Sequence, residues 1–158
     1  MSLLAFFQWC EQSSIGETIR RSAWLFPLIE AIHLLGLGFI GGAVLVVDLR
    51  LLGLGLRRQS VAQLARDAQP WLIGSLILMI ITGGLLFLSE AIKCYYHEAF
   101  WFKMTSLFLA IVFTFTVQRK VTQADEARIS AAWSKAVAVV SVLLWSGVGI
   151  GGRWIGFS

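Results

Sequence analysis

Four long apolar stretches separated by short polar connections constrain this chain more than any motif it contains. They occupy residues 24–47, 71–89, 99–117 and 132–152. An α-helix needs roughly 20 apolar residues to cross about 30 Å of hydrocarbon, and each stretch is of that order. Lipid offers no hydrogen bonds to the backbone, so unbroken apolar runs of this length imply helices; membrane β-strands would alternate polar and apolar residues. The sequence therefore predicts an all-α integral membrane four-helix bundle, one transmembrane domain over residues 1–158. Of the 158 residues, 58% are hydrophobic and 14% charged, against about 45–50% and about 25% in soluble domains.

The segments outside the spans carry their own pattern. Residues 3–9, with Phe6, Phe7 and Trp9, and residues 14–21, where Ile and polar groups alternate, predict short amphipathic helices lying in the membrane interface. Residues 60–67, in the first connection, predict another. The first apolar stretch, residues 3–9, is short and has no basic region before it, which argues against a cleaved signal peptide.

The net charge of +4 does not point to nucleic acid, because the basic residues sit in connections between spans, where they set orientation. Arg50, Arg57, Arg58, Arg66, Arg119, Lys120, Arg128 and Lys135 fall on one face, eight in all; Arg20, Arg21, Lys93, Lys103 and Arg153 make five on the other. The positive-inside rule then predicts a bacterial inner-membrane protein with both termini periplasmic and the arginine-rich connections cytoplasmic. The bilayer is the first partner this implies, with a second copy or another membrane subunit as a further one.

Ionisable groups within spans are costly and mark functional sites or interhelical pairs. Glu30 and His33 lie one turn apart in the first span, His33 about 14 Å along it. Lys103 stands one turn into the third span, and Glu90 and Arg153 close the outer ends of the second and fourth. All fall in the outer half. Two readings follow: Glu30 pairs with Lys103 or Arg153 while His33 bonds across the bundle, or the cluster holds a cofactor or a proton path. Gly36, Gly38, Gly41 and Gly42, with Thr82-Gly83-Gly84 and Gly147, Gly149, Gly151 and Gly152, either let helices approach closely or clear room for a flat ligand.

Elsewhere, Asp48 and Arg50 end the first span and are expected to pair with each other or with Arg119 and Lys120. Cys94, His97 and Met104 form either a plain outer loop or a soft-metal site. Cys10 and Cys94 share the same face, where a disulfide is possible. Glu30-x-x-His33 has the form of a di-iron motif but lacks the second copy and two further carboxylates such a site needs.

The stretch Ser22-Ala23-Trp24-Leu25-Phe26-Pro27-Leu28-Ile29-Glu30-Ala31-Ile32-His33-Leu34-Leu35-Gly36, then Val47-Asp48-Leu49-Arg50-Leu51-Leu52-Gly53, Phe100-Trp101-Phe102-Lys103 and Leu144-Trp145 … Gly152-Arg153, resembles an uncharacterised family of small four-span bacterial membrane proteins. A first-span His, a Gly-rich second span and Trp-x-Lys opening the third are more distantly similar to HemJ-type protoporphyrinogen oxidases and copper-resistance protein D-like proteins. That resemblance implies haem b, with His33 as axial ligand to the iron and Lys103 as second ligand or propionate partner. The paired intramembrane histidines of a two-haem cytochrome of the b561 type are missing. Three functions stay open: a b-type haem-binding or quinone-linked redox protein using His33, Glu30, Lys103 and Arg153; a non-catalytic accessory subunit with that cluster as interhelical glue; and a small transporter or channel subunit.

Overall fold

The computed structural model describes residues 2–55, 58–124 and 129–155. The elements run α1 (Leu3–Glu11), α2 (Ser14–Arg21), α3 (Leu25–Leu51), α4 (Val61–Ser89), α5 (Ala91–Tyr96), α6 (Glu98–Phe113), a π-helical turn (Thr114–Gln118), α7 (Arg119–Gln123) and α8 (Ala131–Ile155). Four helical segments are long and apolar enough to span a membrane: α3, α4, the continuous helix Glu98–Gln123, and α8. The all-α four-helix architecture expected from hydropathy is the one found, and each span runs past its apolar stretch at one or both ends.

Local chemistry explains the boundaries. The hydroxyls of Ser2, Ser13 and Ser60 accept from Ala5, Gly16 and Gln63 N–H and cap α1, α2 and α4, satisfying donors that a helix start leaves open. Pro27 falls in the first turn of α3, where its missing N–H costs nothing. Gly53, at φ 82°, ends α3. Leu54 N–H there reaches Leu49 C=O at 2.8 Å and Gly53 N–H reaches Arg50 C=O at 3.1 Å, the paired bonds of a Schellman cap.

One expected element is absent as a separate unit. Residues 60–67 do not form their own surface helix; they are the first turns of α4. Pro70 lies inside α4 without ending it. No glycine or capping group interrupts residues 61–69, so the polar turns extend the helix beyond the bilayer edge.

Around the bundle, α4 packs on α3, α3 on α8, and α8 on α6, whereas α4 and α6 share no extensive interface. The ring has three closed sides and one open one. α7 bridges to α4 at one end of the gap. At the other, α1 packs against α4 and α5. A central apolar layer of Ile40, Val44, Met79, Ala110, Trp145 and Val148 crosses the bundle at mid-height. A second cluster around Val47, Val61, Val121 and Val137 fills the end with the arginine-rich connections. A third, Phe7, Cys10, Ala91 and Cys94, fixes α1 on α5.

The interfacial helices are bonded as well as packed. Arg20 donates to Ser89 C=O at 2.8 Å and to Glu11 C=O at 2.7 Å, and the Glu11 carboxylate accepts the Ile92 N–H at the start of α5. Gly16 lies against the Leu88 carbonyl so closely that no Cβ fits between them. Cys10 and Cys94 are both free thiols.

Candidate functional site

The buried stripe of α3 runs His33, Gly36, Ile40, Val44, Val47, Asp48 and Leu51, so His33 points into the bundle and is 8% exposed. Its Nδ1 lies 2.8 Å from Thr82 Oγ1 on α4. The Thr82 hydroxyl donates its single proton to Leu78 C=O at 2.7 Å. It therefore accepts from His33, which puts the imidazole proton on Nδ1 and leaves Nε2 as a lone pair. Lys103 Nζ on α6 stands 3.5 Å from that Nε2, and an ammonium, which only donates, demands the same tautomer.

Glycines seat both side chains. A Cβ on Gly83 would stand 3.1 Å from His33 Cε1, so the missing carbon lets the imidazole approach α4 a few tenths of an ångström more closely. A Cβ on Gly151 would meet Lys103 Cβ at 3.1 Å, and one on Gly152 would meet Lys103 Cε and Nζ at 3.5 Å. Gly36 packs on Met79 and Gly147 on Ser106. Gly38, Gly41, Gly42 and Gly149 have nothing near the Cβ position, so the glycines divide between site and surface.

His33 and Lys103 open onto a cavity of about 510 Å³ in the gap between α4 and α6. Its walls are Leu76, Met79, Ile80 and Gly84 from α4 and Phe100, Met104 and Leu107 from α6. Phe6 and Phe7 of α1 roof it. Phe7 is itself held by rings of Phe87 and Tyr95 with centroids at 5.1 and 5.3 Å. The size falls in the range of small-molecule sites, about 300–1,000 Å³, and such sites pair apolar walls with a few polar groups, as here.

The other expected members are placed elsewhere. Glu30 is exposed on α3 and does not line the cavity; no ion pair joins it to Lys103 or Arg153 among the described residues. Three residues turn a helix by 300°, so Glu30 points about 60° away from the His33 direction and leaves the covered stripe. Arg153 is exposed in the last turn of α8, next to Gly152 but outside the cavity. Glu90 pairs with Lys93 at 3.8 Å. Thr82, which fixes the imidazole, was legible only as part of a glycine-rich run; a hydroxyl beside glycines at the depth of an intramembrane His was its available signal.

Asp48 corrects another expectation. It pairs with no arginine: Gln118 Nε2 donates to its Oδ1 at 2.7 Å, and Arg50 donates to Gln59 C=O instead. Asp48 and Ser141 are fully enclosed, and the Ser141 hydroxyl lies near enough to act on the Asp48 carboxylate, although neither Asp48 Oδ2 nor Ser141 Oγ makes a hydrogen bond of ordinary geometry among the described residues. The arginine expectation failed because Asp48 lies on the buried stripe of α3. Arg57 and Arg128, used in the charge count, lie outside the described residues.

The Cys94–His97–Met104 loop is structural in its visible bonds. His97 Nδ1 accepts from Ala99 N–H at 3.3 Å and caps α6. Burial pushes the Cys94 thiol up to about 11, so it is protonated at neutral pH, and the thiolate is the form that ligates metals. No group of three or more His, Cys, Asp or Glu suited to a metal ion occurs among the described residues.

Fold and site together define a multi-pass helical membrane protein with a polar pair at a lateral apolar cavity. The chain belongs to a family of unknown function, DUF6644, which matches residues 6–158. No curated protein and no solved structure matches it.

Proposed function

We propose that the protein is a quinone-binding membrane subunit whose ligand reaches the His33–Lys103 pair through the gap between α4 and α6. The observation that carries this is the pairing of one acceptor and one donor, 3.5 Å apart, at the floor of a largely apolar cavity. A quinone presents a carbonyl oxygen, which takes a hydrogen bond from Lys103 Nζ. Its reduced form presents a hydroxyl, which donates to His33 Nε2. The same two side chains thus serve both states, and Nε2 is the atom that takes the proton when the hydroquinone gives one up. Thr82 holds the ring in the tautomer this needs. A lateral opening suits a ligand that lives in the bilayer, and Glu30 and Arg153 have no part in it.

Haem b is the second reading, favoured by one further observation. A metal-bound imidazole commonly donates its other N–H to a protein oxygen, as His33 does to Thr82. His33 would hold the group through Nε2, and Lys103 beside it, once deprotonated, would be the neighbouring nitrogen donor. The resemblance to HemJ-type proteins read from the sequence would assign the same two residues, His33 and Lys103, but no curated protein or solved structure carries it. Bound haem would supply one-electron chemistry. Against it, Lys103 is the one ammonium or guanidinium among the described residues lining the cavity, whereas a haem carries two propionates.

Purified protein in mild detergent tests both. Trp101 lines the cavity, so titration with a short-chain ubiquinone should quench fluorescence saturably, and His33→Ala should weaken the midpoint at least about tenfold, the worth of a buried polar contact left unmade. A Soret band in the absorption spectrum, shifted by dithionite and lost in His33→Ala, would replace quinone with haem. A colourless protein with no saturable quenching sinks both readings and leaves the pair as interhelical glue.

A further inference from the structure

The gap between α4 and α6 contains a second, smaller cavity at the end that carries the arginine-rich connections. It measures about 80 Å³ and lies between α4 and the stretch from Thr114 through α7. Arg66 from α4 and Arg119 from α7 both line it. Neither guanidinium makes an ion pair or a side-chain hydrogen bond among the described residues. Two exposed cations from different helices border one small cavity, and a surface built that way attracts an anion. The amides of Gln69 and Gln123 line the same space and add donors.

The volume is of the order of a phosphate, and anything attached to one lies outside the cavity, along the open gap. Above the arginines the walls turn apolar, through Val44, Leu72 and Phe115, and lead toward the middle of the bilayer along the gap that α4 and α6 leave unfilled. A free anion has no use for that wall, whereas an acyl chain does. We propose that this end of the gap is a site for an anionic phospholipid of the adjoining leaflet, its phosphate between Arg66 and Arg119 and one acyl chain along the half-buried Leu72 and Phe115. Arginine suits the role because its planar fork bonds phosphate oxygens in pairs. The proposal is independent of the quinone reading, since it uses neither His33 nor Lys103.

The test uses the full chain in mild detergent, titrated separately with phosphatidylglycerol, phosphatidylcholine and inorganic phosphate, with Tm and native mass spectrometry as readouts. Phosphatidylglycerol is expected to raise Tm saturably and to leave a one-to-one adduct; the other two should do neither. Arg66→Gln and Arg119→Gln should each weaken the phosphatidylglycerol midpoint about fivefold with little change in lipid-free Tm. Lys120→Gln, a neighbouring cation outside the cavity, should change nothing. Equal stabilisation by phosphatidylcholine overturns the proposal, as does undiminished binding in both arginine variants. A full shift with inorganic phosphate alone overturns the lipid assignment, and none of the three wild-type titrations depends on a variant folding.

Discussion

The two buried polar centres of this bundle are built from similar materials and differ in what surrounds them. At one end, His33 meets Thr82 and Lys103 beside a cavity of about 510 Å³. At the other, Asp48 meets Gln118 and is completely enclosed. Between them lies the apolar layer of Ile40, Met79, Ala110, Trp145 and Val148. The first centre has a lone pair shared only with the long 3.5 Å contact to Lys103, and both groups line open space. The second has its bond turned inward, and although Gln118 borders the small cavity beside Arg66 and Arg119, the Asp48 carboxylate itself does not line it. A polar group inside a membrane protein therefore reads as a binding site or as a clamp according to whether the packing around it leaves room.

That contrast is open to attack at several points. The largest effect on stability is expected at the enclosed centre: Asp48→Ala leaves the Gln118 amide buried without its acceptor, a cost of about 1–3 kcal/mol. Thermal unfolding in detergent should show it, and Asp48→Asn, which keeps an acceptor oxygen, should recover most of the loss. Quinone quenching should be unchanged in both; a change would mean the two centres are coupled.

The open centre should behave the opposite way. Lys103→Met is expected to weaken ligand binding about tenfold, roughly 1.4 kcal/mol, while Tm stays nearly constant because interhelical hydrogen bonds in membranes average about 0.6 kcal/mol. A large fall in Tm would make this centre a clamp too. Gly83→Ala tests the seat of the imidazole more gently. The added methyl would stand 3.1 Å from His33 Cε1, so the ring must shift by a few tenths of an ångström, and a loss of affinity of about two- to fivefold is expected, under 1 kcal/mol.

The smallest effect concerns Cys94, which lies outside the spans. Its thiol is pushed from 9.0 up to about 11, first by burial and next by the nearby Glu90 carboxylate. A raised acid pKa means the folded state favours the protonated thiol. The associated stability is complete below about pH 9 and is lost as pH rises toward 11. Alkylation of the folded protein should accordingly stay slow at pH 8 and accelerate through pH 10; rapid modification at pH 8 would show the thiol to be accessible and ordinary.

Most of the architecture was legible because hydropathy and helix length report one physical demand, that a backbone in lipid satisfies itself. His33 and Lys103 were legible for the same reason, as ionisable groups in apolar runs. Glu30 was misplaced because a spacing of three sets two side chains near one another without stating which is covered by a neighbouring helix. Asp48 was expected to meet Arg50, Arg119 or Lys120, whereas its partner is Gln118, the buried residue immediately before the exposed Arg119 and Lys120. The gap between α4 and α6 had no trace in the sequence, because lipid-facing and cavity-facing positions carry the same apolar residues.

The open side of the ring also bears on how the molecule is put together. α3 and α4 form one antiparallel hairpin, α6 and α8 another, and the two meet chiefly along α3 and α8. The His33–Thr82 bond lies wholly within the first hairpin, and the seat of Lys103 on Gly151 and Gly152 wholly within the second. Each hairpin can therefore leave the insertion machinery with its half of the centre already shaped, and docking along a single seam brings the halves together last.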